Sequence, residues 1–171
     1  MAFIEVARLA LGSTLHGINV RTRDEHDRSF LSDLYTSTRI EELQQVDWPE
    51  QQKRAFLHDQ FTLQHEHYLK HYPRASWLVI ERDGVAIGRL YEETTGSEVR
   101  LMDISLLPDC RNQGIGSTLM KMVLDYADEL NLPVGLHVES FNPALKLYMR
   151  LGFTTMETRG IYFFMQRNKL S

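Results

Sequence analysis

Residues 99–117, V-R-L-M-D-I-S-L-L-P-D-C-R-N-Q-G-I-G-S, combine features that together can hold a phosphate group. An apolar run through Leu101, Ile104, Leu106 and Leu107 predicts a strand, and Pro108 ends it, because proline has no N–H to give a sheet ladder. A polar turn over 109–113 carries the fixed positive charge of Arg111. Gly114-Ile115-Gly116 then opens a helix, whose first turn offers unpaired N–H groups and the positive end of the helix dipole. The two glycines let a ligand come close to the backbone. The phosphate-binding group is therefore Arg111, Asn112, Gln113, Gly114, Ile115, Gly116 and Ser117, with the Ser117 hydroxyl as an added donor. A dinucleotide G-x-G-x-x-G is excluded by Leu119 in the last glycine position, and a Walker loop by the absence of a following Gly-Lys-Ser/Thr.

A second stretch lies downstream: Asn142-Pro143-Ala144-Leu145-Lys146-Leu147-Tyr148, then Arg150-Leu151-Gly152-Phe153. Taken in order, the two stretches resemble the R/Q-x-x-G-x-G/A loop and the N-x-A-x-x-L-Y…G-F segment of the GCN5-related N-acetyltransferases (GNAT), a resemblance covering residues 100–153. It implies that the loop cradles the pyrophosphate of acetyl-CoA. It also implies that the backbone of Ile104, Ser105 and Leu106 meets the carbonyl and the pantetheine arm, where two parallel strands splay and the arm pairs like an added strand.

Acetyl transfer from a thioester to an amine needs a held CoA, a polarised carbonyl, a deprotonated amine and a proton for the leaving thiolate. The resemblance makes Tyr148 the proton donor; the plain alternative is an aromatic packing residue one turn from Leu145 and Leu151. Asn142 reads as a helix cap by type and position, and as a CoA contact by resemblance. Many relatives carry a glutamate base where this chain has Arg100. The remaining candidate bases are Asp103, Glu139 and Glu92 or Glu93, and Asp103 reads equally as a paired buried ion. The acceptor pocket implied by the resemblance gathers Tyr35, Arg39, Glu41, Glu42, Asp47 and Trp48 with Tyr162 and Phe164, and Glu92 is placed beside it. Acidic and aromatic groups suit an amine, while Arg39 and Arg100 can equally hold a carboxylate.

The elements that must position these groups follow from periodicity. Residues 18–21 predict a first strand, 25–39 a helix, and 50–72 a long helix with Pro49 at its start and Pro73 at its end. Segments 77–81 and 85–91 predict a hairpin around Asp83-Gly84, and 99–107 completes a meander. Ile115, Leu119, Met122, Val123, Tyr126, Ala127 and Leu130 stripe the helix after the loop. A strand over 134–139, a short helix capped by Asn142 and ended by Gly152, and a hairpin over 153–157 and 161–166 close the chain. A strand, a crossover helix and a further strand imply a parallel pair. The fold class is α/β (α+β), a single GNAT domain with a mixed central sheet of about seven strands and helices on both faces, in the order β-α-α-β-β-β-α-β-α-β-β. Residues 1–17 are expected as an arm or an extra strand before a domain over 18–171.

With 171 residues, a single domain is the starting expectation; 43% hydrophobic and 25% charged residues fit an ordinary globular protein. A net charge of −4 argues against a nucleic-acid or membrane-surface partner, and no apolar run is long enough to span a bilayer. The start of the chain lacks the pattern of a signal peptide, so a cytoplasmic location is expected. Cys110 is the sole cysteine and reads as an inert turn residue. His67 and His71 have metal-compatible i, i+4 spacing but no third ligand in view, so no metal is expected and the histidines of the long helix read as solvated or helix-end groups. The expected activity is transfer from acetyl-CoA to a primary amine of a small molecule or peptide by direct attack. The alternative is a non-catalytic CoA-binding sensor or interaction module. Dimers are frequent in the family, so the resemblance also brings in a homodimer.

Overall fold

A computed structural model describes residues 2–169. Seven strands form one sheet in the order β1-β2-β3-β4-β5-β7-β6. They are β1 (Ile18–Thr22), β2 (Ser76–Arg82), β3 (Val85–Thr94), β4 (Val99–Leu106), β5 (Val134–Glu139), β6 (Thr154–Arg159) and β7 (Tyr162–Arg167). Helices α1 (Phe3–Thr14), α2 (Arg28–Arg39), α3 (Glu50–His71), α4 (Ile115–Glu129) and α5 (Leu145–Arg150) complete the element order. The expected order from β1 onward holds.

The first segment does not. The expected arm or extra strand is helix α1, because Phe3, Ala7 and Leu11 repeat at i, i+4 and bury one stripe against the sheet. Phe3 stands edge-on to Tyr126 of α4, ring centroids 5.2 Å apart, so α1 and α4 cover the same face. Met1 lies outside the described residues.

Strand alternation sorts the two faces. Leu78, Ile80, Leu90 and Leu101 join the core cluster with α1 and α4. Trp77 and Tyr91 point the other way and meet Tyr68 of α3. The α4 stripe is buried as its spacing predicts, except that Tyr126 is partly buried and Leu130 at its end is 45% exposed. On α3 the buried line is Leu57, Phe61 and His65, again at i, i+4. His65 is thus an interior histidine, contrary to the expectation of a solvated one, since its position falls on the helix's inward stripe.

The turns behave as their residues dictate. Asp83 (φ 50°) and Gly84 (φ 81°) are both left-handed, the conformation a two-residue hairpin turn requires. Gly152 (φ 92°) ends α5, with the Phe153 N–H donating back to the Tyr148 carbonyl at 3.0 Å. Helix α5 begins at Leu145, later than the Asn142 start expected; Asn142 heads the turn before it, its Oδ1 accepting from the Ala144 N–H at 2.9 Å.

Candidate active site

The central feature is a break in the sheet. β4 and β5 are the parallel pair, yet they pair only from Val99 with Val134 to Leu101 with Leu136. β4 runs on to Leu106 and β5 to Glu139 without facing each other. On its other side β4 stays paired to β3, Ile104 to Leu90, Ser105 to Arg89 and Leu106 to Gly88, with a slip in register that skips Met102. The backbone edge of Ile104, Ser105 and Leu106 that faces β5 therefore has no strand partner. An extended ligand arm can pair with such an edge.

The glycine loop lies at the end of β4. Gly114 adopts φ 85° and sets the N-terminus of α4. The first bond of the helix is Thr118 N–H to the Gly114 carbonyl at 3.0 Å, so the amides of Ile115, Gly116 and Ser117 precede it and point outward. A Cβ on Gly114 or on Gly116 would meet nothing within 4 Å, leaving the approach open, while buried Ile115 anchors the turn in the core. The left-handed Asn112 (φ 59°) shapes the loop, and Gln113 ties it down through Nε2 to the Asp109 carbonyl at 2.8 Å and Arg82 Nη2 to its Oε1 at 2.6 Å. Arg111 is exposed, with Nε on the Leu106 carbonyl at 3.0 Å, so the rest of its guanidinium is available beside the free amides. These groups fit a pyrophosphate. Cys110 is buried beneath the turn.

Tyr148 stands on α5, half-buried against the core and 5.8 Å from the Phe153 ring. Burial, reinforced by the charges of Asp103 and Glu139, pushes its phenol up to about 12, so it holds its proton across the working pH range.

Both carboxylates are engaged by arginines. Glu139 accepts from Arg39 Nη1 at 2.5 Å, and its other oxygen faces Asn142 Nδ2 at 3.5 Å. Burial pushes its carboxyl up, but the Arg39 hydrogen bond and charge outweigh this and hold it below the usual range. Asp103 is paired with Arg89 Nε and accepts from Ser105 Oγ at 2.9 Å. Arg89 is 3% exposed, donates to Gln64 Oε1 at 2.8 Å and lies over the Tyr91 ring at 4.8 Å.

A cleft of about 240 Å³ opens beside these pairs on the α2–α3 face. Tyr35, Arg39, Glu42 and Tyr162 line it, and Phe56, Gln60 and Gln64 of α3 complete the wall. Trp48 is a step back, edge-on to Phe56 at 5.6 Å. Phe164 packs instead against Arg100 and His137. Arg100, in the position of the expected glutamate, is bound by Glu98 at 2.6 Å.

Glu92 does not belong to this cleft. Strand alternation puts it on the α1–α4 face with Leu90, where it is 2% exposed and bonded to Ser76 Oγ at 3.1 Å and Thr94 Oγ1 at 2.7 Å. Arg89 and the α3 wall escaped sequence reasoning. Their signals were an arginine inside an apolar strand and the i, i+4 series Phe56, Gln60, Gln64. Among the described residues no group of three or more His, Cys, Asp or Glu converges as a metal site. No helix among them is long and apolar enough to cross a membrane.

A sheet opened between two parallel strands, with a glycine-started helix at its mouth, defines an acyl-CoA N-acyltransferase fold. The chain belongs to the Acetyltransferase (GNAT) family, whose model matches residues 37–153. Solved structures share the fold. PaiA N-acetyltransferase from Thermoplasma acidophilum, in complex with coenzyme A, superposes with a TM-score of 0.67 at 17% identity, over 88% of this chain and 98% of that one. Ard1 from Thermoplasma volcanium gives 0.59 at 17% identity over 91% and 99%. An acetyltransferase from Streptococcus agalactiae gives 0.63 at 12% identity over 90% and 99%. No curated protein matches the chain.

Proposed function

We propose that the protein is a cytoplasmic, acetyl-CoA-dependent N-acetyltransferase acting on a primary amine of a small molecule or peptide by direct attack. The observation that carries this is the parting of β4 from β5 beyond Leu101 and Leu136, with the free α4 amides at one end and Tyr148 beside it. The relative solved with coenzyme A supports the cofactor half of the reading. When bound, acetyl-CoA supplies a thioester whose acetyl carbon accepts the amine. Arg111 and the amides of Ile115, Gly116 and Ser117 hold its phosphates. The free edge of Ile104, Ser105 and Leu106 aligns its arm. Tyr35, Tyr162 and Glu42 receive the amine, aromatic faces and a carboxylate suiting a cation. Tyr148 keeps its proton until a thiolate needs it.

One observation favours a second reading, a CoA-binding module without turnover: Asp103 and Glu139 are both bonded to arginines, which leaves neither as a free base. Calorimetric titration with acetyl-CoA, on the parent and on Arg111→Ala, followed by thiol-release assays over a panel of amines, separates the readings. The parent is expected to bind, the variant about tenfold more weakly, as the loss of one charge-assisted contact implies. Thiol release with any amine supports the enzyme. Binding without release across the panel supports the module, and no binding by the parent overturns both.

A further inference from the structure

The other end of the α2–α3 face holds a larger cavity, of about 500 Å³, that the acetyltransferase site does not use. Arg23, Arg28 and His65 line it, with Leu69 as its exposed apolar wall, Leu31 fully buried behind it, and Asp24 and Glu25 at its rim. Arg23 follows β1 and lies over the Trp77 ring at 5.5 Å. Among the described residues its guanidinium has His65 as its only hydrogen-bond partner, Nη1 lying 3.2 and 3.0 Å from the two ring nitrogens. Its Nε is buried with no acceptor at all. Arg28 makes no ion pair among the described residues, yet its charge reaches the same imidazole. Burial and then the charges of Arg23, Arg28 and Arg89 pull His65 down to about 4, so the imidazole stays neutral and adds no anion.

A buried donor without an acceptor is costly, and the two guanidiniums repel each other where the exposed carboxylates of Asp24 and Glu25 do not bond them. The nearby carboxylates do not repair this. Asp27 is consumed by Arg21, both guanidinium ends at 2.7 Å, and Glu81 also binds Arg21 at 2.5 Å. Asp24 turns its Oδ1 to the His26 N–H at 2.8 Å. What the cavity lacks is an anion on its floor. What its rim offers is negative charge, which disfavours a dianion and favours a neighbouring cation. Its wall is leucine.

We infer that this cavity is a second small-molecule site, which binds a zwitterionic amino acid with an apolar side chain. The α-carboxylate sits on Arg23 and Arg28, the ammonium faces Asp24 and Glu25, and the side chain packs on Leu69. This inference stands apart from the acetyltransferase reading, because it uses none of the same residues.

The test titrates the full-length protein with L-norleucine, followed by calorimetry and by tryptophan fluorescence. Trp77 lies directly under Arg23, and a Trp48→Phe background isolates its signal, since Trp48 and Trp77 are the two tryptophans. Pentylamine, which lacks the carboxylate, and hexanoate, which lacks the ammonium, are titrated alongside. Norleucine is expected to bind with a change in Trp77 emission, and each truncated probe to bind at least about tenfold more weakly. Arg23→Gln and the exposed Arg28→Gln are each expected to weaken norleucine about tenfold or more while acetyl-CoA binding stays at the parent level. The second variant keeps the test valid if the first fails to fold. Absence of norleucine binding, pentylamine binding as tightly as norleucine, or norleucine affinity unchanged in Arg28→Gln would each overturn the inference.

Discussion

Asp103→Asn separates the two roles open to that residue. The substitution keeps the shape of the side chain and removes its charge, leaving Arg89, 3% exposed, facing neutral acceptors only. Breaking a buried ion pair by deleting one partner costs about 3–5 kcal/mol, because the other charge stays behind. The Asp103 side chain is 24% exposed, which admits some water and places the loss near the lower end, about 3 kcal/mol. For a chain of this size that lowers Tm by about 9 °C, taking roughly 3 °C per kcal/mol. Arg89→Met is expected to lose a similar amount. The double replacement Arg89→Met with Asp103→Leu removes both charges and is expected to lie within about 1 kcal/mol of the parent, since an apolar pair of similar volume avoids the desolvation cost. Urea denaturation of the parent, Arg89→Met, Asp103→Leu and the double replacement gives the coupling energy directly, the single Asp103→Leu closing the cycle. If the single losses simply add to the double, or if Asp103→Asn unfolds at the parent's midpoint, the pair is not the structural unit described. With kcat measured on the same samples, a residue that acts as a base loses kcat even where the variant is fully folded; the structure leads to the opposite expectation, kcat at saturating acetyl-CoA largely retained and any loss falling on the KM for acetyl-CoA.

Two further outcomes are expected. Tyr148→Phe lowers turnover by about 10²–10⁴-fold with CoA affinity nearly intact, and unchanged turnover would remove Tyr148 from the mechanism; in the parent, a phenol held up to about 12 puts no downward limb in the rate profile below about pH 11, and a limb there that vanishes in the variant would refute the upward shift. Glu139, held below its ordinary 4.5 in the folded protein, adds stability that is fully present above that pH and lost as pH falls through its folded value. The stability gap between parent and Glu139→Gln should therefore close below about pH 4.5. A gap that stays constant from neutral to strongly acid pH contradicts the Arg39 pairing.

The parts of the fold legible in the sequence are those written in local chemistry. Asp83-Gly84 specifies its hairpin because both positions need positive φ, and Gly114 and Gly152 mark a helix start and a helix end for the same reason. The open start of α4 is legible because its free backbone amides are set by glycine spacing. What stayed hidden depends on which face a residue takes in three dimensions. Glu92 and Glu93 are adjacent in sequence and were equal candidates, yet strand alternation sends Glu92 to the α1–α4 face. The N-terminal segment mixes Glu5 and Arg8 with apolar residues, so its helical stripe of Phe3, Ala7 and Leu11 is recognisable only once α4 and the sheet are there to receive it. The slip at Met102 and the early end of the β4–β5 ladder leave no mark in residue type at all.

The two arginine–carboxylate pairs acquire a shared explanation from that broken ladder. A parallel pair that stops at Leu101 and Leu136 forgoes the backbone bonds that would otherwise fix the distance between Ser105 and Glu139. Something else must hold the strands apart and in place, because a cleft that collapsed would close the free edge of β4. On the β5 side, Arg39 from the last turn of α2 grips Glu139 at the strand's end. On the β4 side, Arg89 from β3 grips Asp103 and is itself held by Gln64 of α3. Each flank of the opening is thus tied to a different helix by a charge-assisted bond, which resists both closure and further parting. This accounts for carboxylates in central strands, where they are rare unless paired, without requiring either to move a proton. It also explains why the cleft forms between the same two helices: Arg39 and Gln64, which anchor the flanks, are two of its walls.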